Sequence, residues 1–324
     1  MKNRLFFLLL AVTAGLLAWG TYQALYVAPA EATMGDAQRI FYYHVPAATA
    51  ASLLFWVNFV ASIFYLWKRS PVADAIAVAG AEVGVVFFSV VLISGPIWAR
   101  YAWGTFWVWD ARLTTSLILW LLYVSYLILR KSSELGSTSV LAASLAVFAA
   151  MDMPIVYMSN RWFRTNHPQP MIGTPNLNHD MQTVLLWNML AFCMFAILIA
   201  WFRFELERTS QTINQLHIRK AAQGVSMAML VPIPALLPAK PAMLLLAKKA
   251  VFSGMSAMFF AHKKFTMFLL QTSGSDELAH EKLVQHHYMV AGYVAVWTIY
   301  IGYLLLLMNK LRKLHQEERE MRAS

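Results

Sequence analysis

The chain has 324 residues, of which 59% are hydrophobic and only 13% charged, and its mean hydropathy is +0.54. A soluble domain carries roughly 25% charged residues, so this composition excludes a water-facing globular surface. The 26 basic against 16 acidic residues give a net charge of +10; in so apolar a chain that excess orients a protein in a bilayer rather than binding nucleic acid.

A bilayer core about 30 Å thick needs about 20 apolar helical residues. Gaps between charged residues mark six such runs, at 5–30, 40–67, 75–99 (interrupted only by Glu82), 113–129, 135–151 and 181–202. The first run exceeds the roughly 7–15 residues of a signal-peptide core, so it reads as a retained helix despite Ala28-Pro29-Ala30. Residues 203–220 are polar and mixed in charge. Residues 221–239 are uncharged but contain Pro232, Pro234 and Pro238, which disfavour a regular helix, and 244–260 carries Lys248 and Lys249. A further clear span, 283–309, precedes a tail with Lys310, Arg312, Lys313, Arg319 and Arg322. The expected fold is an all-α polytopic membrane protein with six transmembrane helices plus one or two C-terminal ones. Eight spans would put the basic tail inside.

Loop charge sets the orientation. With the N-terminus inside, the inner segments hold Lys2, Arg4, Lys68, Arg69, Arg130, Lys131, Arg203, Arg208, Arg219 and Lys220, and the outer loops only Arg39, Arg100, Arg112, Arg161 and Arg164. Ten against five places the loops after spans one, three and five outside.

Those three loops carry the chemistry. Between spans three and four runs Trp103-Gly104-Thr105-Phe106-Trp107-Val108-Trp109-Asp110-Ala111-Arg112-Leu113-Thr114, with three of the chain's 12 tryptophans inside seven residues. A membrane-interface belt accounts for one or two tryptophans at a helix end. Alternating tryptophans with glycine, aspartate and arginine describe instead an aromatic surface with polar handles, suited to a flat apolar ligand with charged edges. Before span two stands Phe41-Tyr42-Tyr43-His44-Val45-Pro46-Ala47-Ala48. Pro46 fits the first turn of that span and Val45 is biased out of the helical region, which puts His44 just outside the helix. The loop after span five, 152–180, contains Arg161-Trp162-Phe163-Arg164-Thr165-Asn166-His167-Pro168. Each histidine alone reads as an ordinary interfacial residue; on one face with the tryptophans, two neutral imidazoles can ligate haem iron axially. The five outer arginines suit carboxylates such as haem propionates, or lipid headgroups. A lone cysteine, Cys193, excludes a disulfide framework, a cysteine zinc site and covalent CxxCH haem attachment.

Residues 103–114 resemble the tryptophan-rich "WWD" signature of haem-handling membrane proteins. The continuation Asp110-Ala111-Arg112-Leu113-Thr114 is similar to the CcmC branch of cytochrome c maturation system I, and lacks the Trp-Asp-Pro usual in the CcmF and CcsA branches. His44-Val45-Pro46-Ala47-Ala48, with Arg39-Ile40 upstream, matches the CcmC first-histidine motif. Arg161 to His167, with Met153-Pro154-Ile155 before it, resembles the second-histidine loop. Phe106 stands where a tryptophan is frequent.

The resemblance implies domains at 1–205 (six-helix, CcmC-like), 206–282 (a linker with room for one further span) and 283–324 (a single span with a basic tail, similar to CcmD). It implies a transfer factor rather than an enzyme, holding non-covalent, transient b-type haem at the outer face of a bacterial inner membrane. His44 and His167 would ligate the iron, while Trp103, Gly104, Trp107, Trp109, Asp110 and Arg112 would contact the cofactor. Implied partners are a CcmE-like haem chaperone, the CcmA–CcmB ATPase complex, CcmD and membrane lipid. With no P-loop in this chain, ATP dependence falls to partners.

Competing readings are a b-type electron-transfer protein, which expects ligands within helices at membrane depth; a transporter built on Glu82, which expects several buried charges; and a cytochrome c synthase, which the Asp110-Ala111-Arg112 continuation disfavours. His286 and His287 are second-ranked iron ligands. With Cys193 replaced, cysteines introduced at Thr33, Thr105 and Thr174 should all label from outside intact cells; cytoplasmic labelling at any one defeats a shared site.

Overall fold

The computed structural model describes residues 2–131, 137–169, 174, 177–228 and 277–323. Its helices are α1 (Lys2–Tyr22), α2 (Phe41–Lys68), α3 (Pro71–Trp103), α4 (Ala111–Lys131), α5 (Ser137–Ala150), α6 (Asp152–Trp162), α7 (His179–Ala228) and α8 (Glu277–Ala323). Among the described residues, seven helical stretches are long and apolar enough to cross a membrane: Arg4–Val27, Asp36–Lys68, Pro71–Trp103, Ala111–Lys131, Ser139–Trp162, His179–Ala221 and Glu281–Met321. The chain is an all-α polytopic membrane protein. Residues 1–216 and 284–324 form one compact unit and 217–283 a second; the contacts below all lie within the first.

Two boundaries differ from expectation. Asp152 was expected to end the fifth run, yet the helix breaks only at Met151 and resumes as α6, so the crossing continues to Trp162. Pro154 is tolerated there because it sits in the first turn of α6, where the missing N–H leaves no bond unmade. The polar stretch 203–220 is helical too, continuing α7 well past its apolar part. The eighth span sought at 221–239 or 244–260 falls, apart from the end of α7, outside the described residues.

The core is the α2–α3 hairpin. Its turn is Arg69, in the left-handed region at φ 52°, then Ser70, whose Oγ accepts from the Ala73 N–H and caps α3 ahead of Pro71. The helices meet at Gly80, where a Cβ would lie 2.9 Å from the Leu54 carbonyl, so only glycine permits this approach. The Asn58 amide donates to the Ala77 carbonyl across the seam, at 2.7 Å. Helix α4 joins by stacking Tyr123 on Phe55, with ring centroids 3.8 Å apart, and by the Trp120 indole N–H donating to Ser89 Oγ at 2.9 Å. Helix α8 buries Tyr300 completely among Phe87, Phe192 and Phe195.

One end of the bundle is tied by charge. Arg203 on α7 donates to Glu82 on α3 at 2.8 Å and to Glu207 at 2.9 Å, and Tyr303 on α8 donates to Glu82 at 3.1 Å. Arg130 on α4 forks onto both carboxylate oxygens of Asp74, each at 2.8 Å. Glu82, which could have marked a transport path, is therefore a neutralised helix-to-helix clasp. At the opposite end, Gln285 at the start of the span in α8 accepts from the Asp36 N–H at 3.4 Å and donates to the Tyr101 hydroxyl at 3.0 Å. Span 283–309 thus runs from the His44 end toward the Glu82 end, in the same direction as α7.

Removing one partner of a buried ion pair strands the other, at a cost of about 3–5 kcal/mol. Arg203→Leu should lower unfolding free energy in detergent by that order, and Glu82→Leu combined with it should recover much of the loss. A double variant no more stable than Arg203→Leu would show that the clasp contributes through packing instead.

Candidate functional site

His44 sits at the end of the bundle away from the ionic clasp. It was expected just outside the second span; the structure places it within the first turns of α2, which begins at Phe41 directly after a 3-10 turn at Asp36–Ile40. The bias of Val45 against helix is overridden because that turn is pinned from three sides. Arg39 donates to Asp36 at 2.9 Å and to the Ala24 and Ala28 carbonyls at 2.6 and 3.1 Å, satisfying the end of α1. Arg39 is therefore a buried structural residue, not a cofactor contact. The His44 ring is half-buried and its Nδ1 lies 2.9 Å from Ser94 Oγ on α3.

The tryptophan segment begins where α3 stops. Gly104 takes φ 74°, a left-handed conformation that glycine adopts without penalty, and this ends the helix. Trp103 turns back onto Trp98, edge to face at 5.3 Å, while Trp107 and Trp109 form a second edge-to-face pair at 5.7 Å. The expected broad surface is thus two perpendicular pairs rather than one flat shelf. Trp109 is 77% exposed, whereas the Trp107 indole N–H is buried and meets no acceptor among the described residues. A buried donor without an acceptor calls for a missing partner.

Asp110 closes the segment with two functions. Its Oδ1 accepts from the Leu113 N–H at 2.9 Å and caps α4. Its Oδ2 accepts from the Thr165 hydroxyl and, at 3.1 Å, from the Asn166 N–H. Thr165 Oγ1 in turn accepts from the His167 N–H at 3.0 Å. The aspartate of the tryptophan segment therefore holds the second-histidine loop from 55 residues away. Arg112, two residues further, donates to the Val156 carbonyl on α6 and lies within electrostatic range of both His44 and His167. The two histidines are themselves within such range, although 123 positions apart in sequence. His286, the competitor, lies instead beside Asp36, 3.9 Å from its Oδ2.

The proton positions follow from the partners. His167 Nδ1 lies 3.0 Å from the Pro168 carbonyl, which can only accept, so Nδ1 carries the proton and Nε2 the lone pair. The Ser94 hydroxyl lies within donating distance of the Val90 carbonyl, at 2.7 Å; with its hydrogen placed there, its Oγ can accept from His44 Nδ1 and leave His44 Nε2 with the lone pair as well. Burial, reinforced by Arg112, holds His167 below the ordinary histidine pKa against the opposing pull of the Pro168 carbonyl and Asp110, so it is neutral at pH 7. Two neutral imidazoles with Nε2 available are a donor pair for a transition metal. Sequence reading missed Ser94 and Thr165. The one available signal was the Ser94-Gly95-Pro96 interruption of an otherwise apolar run.

The class defined by the fold is an all-α polytopic membrane protein, with two histidines within electrostatic range of each other and a tryptophan-rich loop at one bundle end. Residues 1–219 match the heme exporter protein C family, CcmC, and the chain belongs to that family. It is 32% identical over 219 residues to the heme exporter protein C of Bradyrhizobium diazoefficiens, covering 66% of this chain and 83% of that one. It is 31% identical to a putative cytochrome c biosynthesis ccmC-like mitochondrial protein of Marchantia polymorpha, over 64% of this chain and 88% of the relative. Against the Escherichia coli K12 heme exporter protein C it is 29% identical, over 60% and 81%.

Asp110→Asn keeps a competent helix cap but loses the second acceptor, so the loop should loosen while α4 persists. Trypsin, acting at the exposed Arg161 and Arg164, should cut Asp110→Asn several-fold faster than the parent. Asp110→Ala should add a stability loss of about 1 kcal/mol from the missing cap. An unchanged cleavage rate in Asp110→Asn would mean that the loop is held by something else.

Proposed function

We propose that this chain binds haem as a non-covalent, transient b-type cargo at the end of the bundle where His44 and His167 meet, and hands it to a CcmE-like haem chaperone. The observation that carries this is the pair of imidazoles, each with Nδ1 beside a group able to accept its hydrogen, Ser94 Oγ and the Pro168 carbonyl, which leaves Nε2 to donate. Two imidazoles make an incomplete shell for a bare ion, and among the described residues no group of three or more histidine, cysteine or carboxylate side chains surrounds one. A macrocycle that brings four equatorial nitrogens completes the shell. The Trp107 indole N–H suits an acceptor at the ligand edge, and Arg100, Arg161 and Arg164 suit its propionates. The names of the relatives, heme exporter and cytochrome c biosynthesis, point the same way.

In this reading the site faces outward from a bacterial inner membrane, a CcmA–CcmB complex supplies ATP-driven work, and α8 stands in for a CcmD-type helix. A permanent electron-transfer haem fits less well, because His167 lies on a loop rather than at depth in a helix.

The purified protein should show a visible spectrum with two nitrogen axial ligands. His44→Gly and His167→Gly should each lose that signature and regain it with free imidazole, which fills the vacated space. Trp107→Ala or Trp109→Ala should weaken retention by roughly 0.5–1.5 kcal/mol with the axial signature intact. Parent-like ligation in both glycine variants without imidazole would overturn the assignment.

A further inference from the structure

Ser94 is wholly buried on α3, within an apolar stretch where a serine would ordinarily be a packing residue. Two bonds define its chemistry. Its hydroxyl lies 2.7 Å from the Val90 carbonyl, the usual acceptor of a helical serine. With the hydrogen placed there, what Ser94 offers His44 Nδ1, 2.9 Å away, is a lone pair. In that arrangement the ring carries its proton on Nδ1. The next residue fixes the ring itself: a Cβ at Gly95 would lie 3.2 Å from His44 Cε1, so the imidazole lies against the backbone of α3 in space that a side chain would have narrowed.

We infer that Ser94 is the positioning residue of the first histidine, fixing the tautomer and plane of His44 so that Nε2 is the only nitrogen it can offer to a metal. The inference rests on His44 being a haem ligand and adds what makes it one. It also assigns a strength to the bond. Metal-bound histidines commonly give their second N–H to a carboxylate or a carbonyl, and a carboxylate raises the basicity of the ligand. A neutral hydroxyl whose own proton is already shared raises it far less. His44 is thereby oriented firmly but bound to iron modestly, as a protein that must release its cargo requires. His167 reaches the same tautomer by a different route, through the Pro168 carbonyl on a loop held by Asp110. The two histidines would thus hold the group unequally, one from a rigid helix pair and one from a loop held by Asp110.

The test uses the full-length protein in detergent or nanodiscs with Ser94→Ala, Ser94→Thr, Ser94→Val and Ser94→Asp. In the haem-free protein labelled with 15N-histidine, solid-state NMR identifies His44 as the signal lost in His44→Gly. That signal should report Nδ1–H in the parent and in Ser94→Thr, and should move toward Nε2–H or a mixture in Ser94→Ala and Ser94→Val. Titrated with hemin, Ser94→Ala and Ser94→Val should bind about tenfold more weakly, with affinity restored in Ser94→Thr. Ser94→Asp should bind ferric haem more tightly, shift the reduction potential downward and slow release to an acceptor. Threonine and valine are nearly isosteric, so their comparison isolates the hydroxyl even if Ser94→Ala fails to fold. Equal tautomers and equal hemin affinity in Ser94→Thr and Ser94→Val would overturn the inference. If His44→Gly kept the parent haem spectrum, the ligand reading itself would fall, whatever the tautomer result.

Discussion

The carboxylate of Asp110 is the interaction on which the histidine end of the molecule depends. One oxygen starts α4 and the other holds the loop that carries His167, so the fold of the bundle and the placement of that histidine share a single side chain. Neither job alone would demand much: a cap is worth about 1 kcal/mol and a hydrogen bond to a charged group somewhat more. Their coincidence matters because it ties the loop to α4, while Asn160 ties it to α6 through the Pro168 carbonyl and Gln169. Thr165 passes the constraint on to the His167 backbone, and the Pro168 carbonyl finishes it by setting the ring's proton. Local backbone chemistry thus sets the placement of a histidine in three bonds.

The two ends of the bundle solve opposite problems. At the Glu82 end, charges that would be expensive in a bilayer neutralise one another across α3, α7 and α8, and the result is rigidity. At the histidine end Arg39 and Asp110 hold backbone and loop, while the buried indole N–H of Trp107 meets no acceptor among the described residues. Arg39 shows how the second arrangement leans on the first kind of economy: by satisfying carbonyls at the end of α1, it steadies the short turn that leads into His44 without entering the site.

The six long apolar runs were legible because bilayer thickness imposes a length that charges punctuate. The two histidines and the tryptophan segment were legible as well, since loop charge put them on one face before any geometry was known. What stayed hidden was whatever depends on a distant partner. Nothing near Asp110 in the sequence reveals that its second oxygen belongs to Thr165 and Asn166. Ser94 looks like filler until His44 is found 50 residues away and 2.9 Å distant. Local rules also misplaced two boundaries. Proline at position 46 suggested that a helix starts there, where tertiary anchoring outweighed propensity, and Asp152 suggested that a span ends, where the chain instead starts a new helix after a break at Met151.

The match to the family ends at residue 219, yet α8 is woven into the same compact unit by Tyr300, Tyr303 and Gln285. A helix on the same chain as its groove is present at an effective concentration on the order of millimolar, whatever the density of protein in the membrane. Its stoichiometry is fixed at one per bundle at the moment of synthesis, and dilution in lipid cannot strip it away. Any free helix competing for the groove beside Phe87 must therefore displace a resident that never leaves. A surface that separate chains would have to find by diffusion is, in this molecule, already taken.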